Sequence, residues 1–449
     1  MTQPTPAPHT HPVPIGQQPT RTRYWVVVFA ITLAILSYID RVCISQAATP
    51  IMRDLNLTRT QMGQIFSSFA IAYALFEVPG GWLGDRIGAR KVLMRIVIWW
   101  SAFTAITGYM WSYWSMYIAR FLFGAGEAGC FPNLTKAFSA WLPNHERTRA
   151  QGIMWMFARW GGAFTPPLVI LVFNYMSWRT AFVLFGALGA FWAVAFYFWY
   201  RDNPRDHKDV NQAELALLAG NERLATGHGD VPWGKLLKSR TIWLLWAQYF
   251  FITYPWYFYI TWLPVFLKER YPLLTDSERA NLAVLPLFFG GIGSVFSGFF
   301  AARVTTWTGS TKATRRILAC TGFFGATAML LVFIQFQGTG RGATMDAALM
   351  SMAFLALTSF FNDLVMPGAW ATCMDVGGKY AGTVSGSMNM MGNLAGFVAP
   401  TVGGLIVDAK LGWSTFLYTM AVMYFLGGLC WPFIDPTKPL DPEDAVDHP

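Results

Sequence analysis

Twelve long apolar stretches constrain this chain more than any other feature. They run over 24–46, 61–82, 92–112, 115–138, 151–173, 178–200, 241–267, 281–303, 315–337, 345–372, 380–408 and 412–434. A helix needs about 20 apolar residues to cross the roughly 30 Å hydrocarbon core of a bilayer. Hydrocarbon offers no partner to backbone N–H and C=O groups, so such stretches must close their hydrogen bonds internally, as helices. Only 13% of the 449 residues are charged, against about 25% in soluble domains. The expected fold is therefore all-α and integral to a membrane, with twelve transmembrane helices and no room for a soluble catalytic domain.

The loops between these stretches set the orientation. With the N-terminus inside, 22 of the 33 Lys and Arg residues fall on the cytoplasmic side, 8 outside and 3 within the membrane. That bias follows the positive-inside rule and predicts that both termini are cytoplasmic. The net charge of +9 then reflects membrane topology and calls for no nucleic-acid partner. Residues 1–20 are rich in Pro, Thr and Gln and read as a disordered tail. No cleavable leader precedes the first helix, which is expected to be retained. The longest polar interruption, 201–240, divides the rest into six-helix bundles at 21–200 and 241–435, with a short cytoplasmic tail at 436–449. It reads as a linker that lets the halves rock. Cys43, Cys130, Cys320, Cys373 and Cys430 show no metal-ligand or disulfide spacing and read as packing residues. All six histidines fall in tails or loops. No nucleophile–base set, metal cluster or phosphate-cradling loop is present, so neither an enzyme nor a metal or cofactor is expected.

Residues 81–91, Gly-Trp-Leu-Gly-Asp-Arg-Ile-Gly-Ala-Arg-Lys, form a charged turn between the second and third helices. Gly81, Gly84 and Gly88 permit close helix approach and a sharp turn. Asp85 can accept from a helix N-terminus or pair with a neighbouring helix, and Arg86, Arg90 and Lys91 hold the turn on the cytoplasmic face. In the second half, 298–316 occupies the equivalent place but lacks the aspartate. The fifth helix has Gly161, Gly162, Pro166 and Pro167, and the eleventh has Gly386, Gly392, Gly396 and Pro400. Paired segments of this kind read either as interrupted helices flanking a site between the halves or as ordinary packing helices.

Charges within the apolar stretches are the sharpest functional pointers, because each costs several kcal/mol unless paired or wet. The first half carries Asp40, Arg41, Glu77, Arg120, Glu127 and Arg159; the second carries Asp363. Arg120 and Glu127, seven residues apart, share one helix face, with Gly124 between them leaving space for a partner helix or a small ligand. Glu77 is expected to meet the basic loop. Asp363 lines the cavity or locks the cytoplasmic gate. The bland alternative is a structural set that pairs Asp40 with Arg120 and Glu127 with Arg41 or Arg159. Three arginines exceed what such pairing requires, and a spare guanidinium in a wet cavity is a natural carboxylate clamp. Tyr254, Trp256, Tyr257, Tyr259 and Trp262 crowd the seventh helix, either as an interfacial belt or, for Tyr257 in particular, as a ring against a sugar face.

The 81–91 loop resembles the signature between helices 2 and 3 of the major facilitator superfamily. The run Tyr38-Ile39-Asp40-Arg41, Tyr73 before Pro79-Gly80-Gly81, and Arg120-Phe-Leu-Phe-Gly-Ala-Gly-Glu127 together resemble its anion:cation symporter family, which includes bacterial galactonate, glucarate and hexuronate transporters and animal sialin. The resemblance implies two bundles related by pseudo-two-fold symmetry, alternating access, and proton-coupled symport of a small organic anion, with anion exchange as the alternative. It implies substrate contacts at Arg41, Tyr73 and Asn393, with protonatable carboxylates at Asp40 and Glu127 modulated by Arg120. Gly81, Asp85, Arg86, Gly88 and Arg90 would serve the conformational change. Where sugar-acid members often carry an amide in helix 5, this chain has Ala158 followed by Arg159, an extra guanidinium suited to a dicarboxylate or a more highly charged anion. A monomer in a bacterial inner membrane is expected.

Overall fold

A computed structural model describes residues 18–219, 221, 231–336 and 345–441. The rest of the expected tails, residues 222–230 of the linker, and His9, His11, His228 and His448 lie outside the described residues. The elements are α1 (Arg23–Gln46), α2 (Ala48–Leu55), α3 (Arg59–Ile87), α4 (Ala89–Thr107), α5 (Tyr113–Glu127), α6 (Cys130–Trp141), α7 (Asn144–Phe173), α8 (Trp178–Trp199), α9 (Gln212–Leu217), α10 (Trp233–Lys238), α11 (Arg240–Thr261), α12 (Leu263–Arg270), α13 (Asp276–Thr308), α14 (Thr311–Phe336), α15 (Met345–Gly377), α16 (Ala381–Asp408) and α17 (Gly412–Cys430).

Local chemistry explains where the helices start and stop. Thr58 and Gln61 form a reciprocal capping box that opens α3, and Thr275 with Glu278 does the same for α13. Gly88, at φ +89°, ends α3 and turns the chain into α4. The expected single helix over 115–138 is broken: α5 stops at Glu127 and α6 starts at Cys130, with Gly129 at φ +82° between them. A Cβ on Gly129 would fall 2.6 Å from the Cα of Gly80, so the position demands glycine twice over. Of the two readings of the proline-bearing fifth and eleventh helices, the backbone follows the uninterrupted one: α7 and α16 run unbroken through Pro166, Pro167 and Pro400. The seventh stretch is the bent one, with α11 and α12 meeting at 56°.

Six described helical spans are long and apolar enough to cross a membrane by composition, or seven with the bent α11–α12 pair. Once the 115–138 stretch is broken at Gly129, α5 has 15 residues and is too short for that group.

Packing repeats between the halves. In the first, α1 packs on α7, α3 on α5, α4 on α8 and α4 on α5; in the second, α11 packs on α16, α13 on α15, α14 on α17 and α14 on α15. Each pair maps onto its counterpart six segments later, as in an internal repeat. The halves meet through α3 against α16 and α7 against α13, which is the same relation applied in both directions. The described start of the chain, the linker and the described C-terminal segment gather at one end. Arg23 pairs with Glu146 and Glu214, Lys312 with Asp435, and Lys379 with Asp441. The early linker is tied to the first half: Asp202 accepts from the Arg90 backbone N–H, and Asn221 donates to the Leu142 carbonyl.

Candidate functional site

Between the halves lies a cavity of about 550 Å3, counted to its open mouth. Each helix contributes one face at three- and four-residue spacing. These are Tyr38 and Arg41 from α1, Trp155 and Arg159 from α7, Tyr249, Thr253, Trp256 and Tyr257 from α11, Asn362 and Met366 from α15, and Asn389 and Asn393 from α16, with Tyr73 from α3. The cavity thus gathers Arg41, Tyr73, Arg159, Tyr257 and Asn393, whereas Asp40, Arg120 and Glu127 sit behind its wall. Sequence reasoning named Asn362 beside Asp363 without assigning it a role, and passed over Trp155, Tyr249 and Asn389. Their signal was faint but present: each lies one helical turn from a residue already singled out or from another cavity residue.

Glu127, fully buried, accepts from Arg41 Nε at 2.8 Å and Ser37 Oγ at 2.5 Å, both on its Oε1. Its Oε2 and the Arg41 Nη2 have no hydrogen-bond partner among the described residues. The Arg41 guanidinium lies over the Tyr73 ring at 4.6 Å, and the buried Tyr73 hydroxyl is also without a partner. One layer deeper, neither Asp40 oxygen has a partner, nor do Arg120 Nε and Nη1. Gly124 lies against the Phe69 backbone, where a Cβ would come within 2.5 Å of the carbonyl oxygen; the space it leaves is filled by α3.

Arg159 is not a spare guanidinium. It donates to Asp363 through Nε at 3.0 Å and Nη2 at 2.9 Å, joining α7 to α15 across the halves. Glu77 does not meet the basic loop. Its carboxylate bridges the halves instead, taking the Asn389 side-chain amide at 2.6 Å and the Gly129 N–H at 3.2 Å. The N–H released by the α5–α6 break is thereby satisfied. Within the aromatic run, Trp256 and Tyr257 face the cavity, with the Tyr257 hydroxyl donating to Asn393 Oδ1 at 3.3 Å. Tyr254 turns to Thr419, and Trp262 donates to the Pro400 carbonyl.

The linker end is shut by polar contacts between the halves. Asp85 accepts from the Gly382 N–H at 3.0 Å, the Thr383 N–H at 2.6 Å and the Thr383 hydroxyl at 2.7 Å, all in the first turn of α16. A carboxylate is stabilised there by free amide groups and by the helix dipole. Lys136 approaches Asp85 and donates to the Lys379 carbonyl. Gly81 lets α3 touch α16, since a Cβ there would collide with the Gly382 carbonyl oxygen. Arg86 lies over the Trp82 ring, Gly88 abuts Asp202, and Arg90 donates to the Tyr197 carbonyl, so these three stay with their own half. Asp375, which the sequence reading did not single out, binds Arg315 of its own half at 2.5 Å and Arg147 of the other at 3.2 Å. It supplies the carboxylate that the 298–316 segment lacks.

Two helical bundles with one repeated packing pattern, closed at one end over a buried polar cavity, define a membrane transporter and not an enzyme. The family profile for the Major Facilitator Superfamily matches residues 30–400, and this chain belongs to that superfamily. It is 33% identical over 431 residues to the probable sulfoacetate transporter SauU of Cupriavidus necator, spanning 95% of this chain and 97% of that one. It is 31% identical over 386 residues to the hexuronate transporter of Bacillus subtilis, spanning 85% and 87%. The crystal structure of the transporter FucP in its outward conformation matches the fold at a TM-score of 0.68 and 16% identity, over 92% of this chain and all of that one. The relatives are sugar-acid and other anion transporters, in line with the branch the sequence resembles.

Proposed function

We propose that this protein is a proton-coupled symporter of a small organic anion, a sugar acid such as a hexuronate, aldonate or aldarate, working by alternating access as a monomer in a bacterial inner membrane, with both termini cytoplasmic. The observation that carries the reading is the half-satisfied Arg41–Glu127 pair. Arg41 lines the cavity, spends one nitrogen on Glu127 and keeps a buried Nη2 without a partner. A substrate carboxylate meets that nitrogen and the Tyr73 hydroxyl, gaining charge-assisted hydrogen bonds. Asn393 and Tyr257 meet the rest of the substrate, and Arg159 lies on the same wall.

Bringing an anion to Arg41 while Glu127 stays ionised would leave a surplus negative charge at membrane depth. A proton on Glu127, exchanged with Asp40 under the influence of Arg120, removes that surplus and lowers the desolvation cost of reorientation. Opening toward the linker end requires Asp85 to leave the α16 N-terminus and Asp375 to release Arg147.

The test is uptake into proteoliposomes of labelled hexuronates, aldonates, aldarates and dicarboxylates under an imposed pH gradient. Accumulation of one class that collapses with a protonophore supports the reading. Exchange across preloaded vesicles without response to the gradient would mark an antiporter instead.

A further inference from the structure

A second donor pole stands in the same cavity. Arg159, 5% exposed, is held by Asp363, 0% exposed. Breaking such a buried pair costs several kcal/mol unless a new partner arrives with the break. Two indoles flank the guanidinium: Trp256, whose ring centre lies 4.6 Å from it, and Trp155, at 6.0 Å. The N–H of each is buried and has no acceptor among the described residues, and both residues line the cavity. An indole N–H donates and never accepts, so a buried pair of them lacking acceptors is a costly arrangement that an incoming anionic oxygen would relieve. On the Arg41 side two donors, Arg41 Nη2 and the Tyr73 hydroxyl, are also without partners, beside the one open acceptor, Glu127 Oε2, that a proton would occupy.

We propose that the cavity is ditopic and that its cargo carries two acidic groups. One group takes Arg41 and Tyr73. The other takes Arg159 with Trp155 and Trp256, displacing Asp363, which holds Arg159 in the absence of cargo. The inference rests on the organic-anion reading above and narrows it to compact dianions: aldarates, short dicarboxylates, or molecules bearing one carboxylate and one sulfonate. The charges balance with one proton on Glu127 and one on Asp363, since two guanidinium groups then neutralise the two acidic groups of the cargo.

The test is equilibrium binding to the purified full-length protein with matched pairs, galactarate against galactonate, succinate against butyrate and sulfoacetate against acetate. The wild type is expected to bind each dianion roughly ten-fold or more tightly than its monoanion, the effect of one further charge-assisted contact. The double variant Arg159→Gln/Asp363→Asn removes both charges together, so no charge is left buried alone; its dianion-to-monoanion ratio should fall toward unity. Trp256→Phe keeps the ring over Arg159 but deletes the donor, and should lower the dianion-to-monoanion affinity ratio severalfold. Wild-type preference for the monoanion, or an unaltered ratio in both variants, overturns the inference while leaving an organic-anion transporter standing. Binding of neither class by the wild type would sink the broader reading as well.

Discussion

Arg41 and Glu127 are joined by a single hydrogen bond, Nε to Oε1 at 2.8 Å, that leaves Arg41 Nη2 and Glu127 Oε2 buried and without partners. A fully satisfied ion pair would be a structural strut. This one retains a donor for an anion and an oxygen for a proton, with the two functions separated by one bond. The Arg159–Asp363 pair, by contrast, uses both carboxylate oxygens, so cargo reaches that guanidinium only by displacing Asp363.

Arg41→Lys keeps the charge but loses the planar fork that serves Glu127 and the cavity at once. Substrate affinity should fall ten- to hundred-fold, the equivalent of about 1.5–3 kcal/mol for a hydrogen bond to a charged group. Competition binding against the wild type reads this directly, and an affinity within a factor of two of wild type would remove Arg41 from the substrate site.

Asp85→Asn should loosen the linker end. The amide keeps one acceptor but loses the negative charge that suits the first turn of α16. Cys373 is a native reporter, fully buried two residues before Asp375. Its reaction with a thiol reagent should speed up severalfold in the variant, and an unchanged rate would show that Asp85 does not hold that end closed.

Much of this was legible in the sequence, for a physical reason. A charge inside an apolar stretch is rare enough to stand out, so Arg41, Glu127, Arg159 and Asp363 could be picked one by one. What could not be read was who faces whom. Glu77 has no basic neighbour along its own helix, and the Asn389 amide that meets it lies in the other half, more than 300 residues away. Asp375 was passed over because a carboxylate near a helix end is commonplace; its meaning comes from Arg147 and Arg315 converging on it. The α5–α6 break hid among Gly124, Gly126 and Gly129, which look alike as a small-residue stripe although Gly129 alone among them adopts a positive φ.

Asp375→Asn leaves Arg147 and Arg315, 1% and 3% exposed, without their shared carboxylate. Loss of one partner from a buried ionic cluster costs about 3–5 kcal/mol. The detergent-solubilised variant should melt several degrees below wild type. Adding Arg147→Gln should recover part of the loss, because one of the two stranded charges is then gone. No recovery would mean that Arg147 draws its stability from the Ser139 and Leu142 carbonyls and the Asn221 side chain, its other acceptors.

Gly81→Val places side-chain carbons where α3 touches the Gly382 carbonyl. The variant should fold, because each half packs its own helices, but it should disfavour the closed linker end and cut net transport roughly ten-fold or more. Uptake at wild-type rates would contradict a requirement for that contact.

The coupling claim rests on Glu127, and Glu127→Gln tests it most directly. Proteoliposomes holding the variant should be compared with wild type in two assays, accumulation driven by a pH gradient and exchange of labelled for unlabelled substrate across preloaded membranes. The glutamine still accepts from Arg41 but cannot cycle a proton. Accumulation should vanish while exchange persists and loses its pH dependence. A variant that still accumulates substrate against its gradient would show that the proton travels elsewhere.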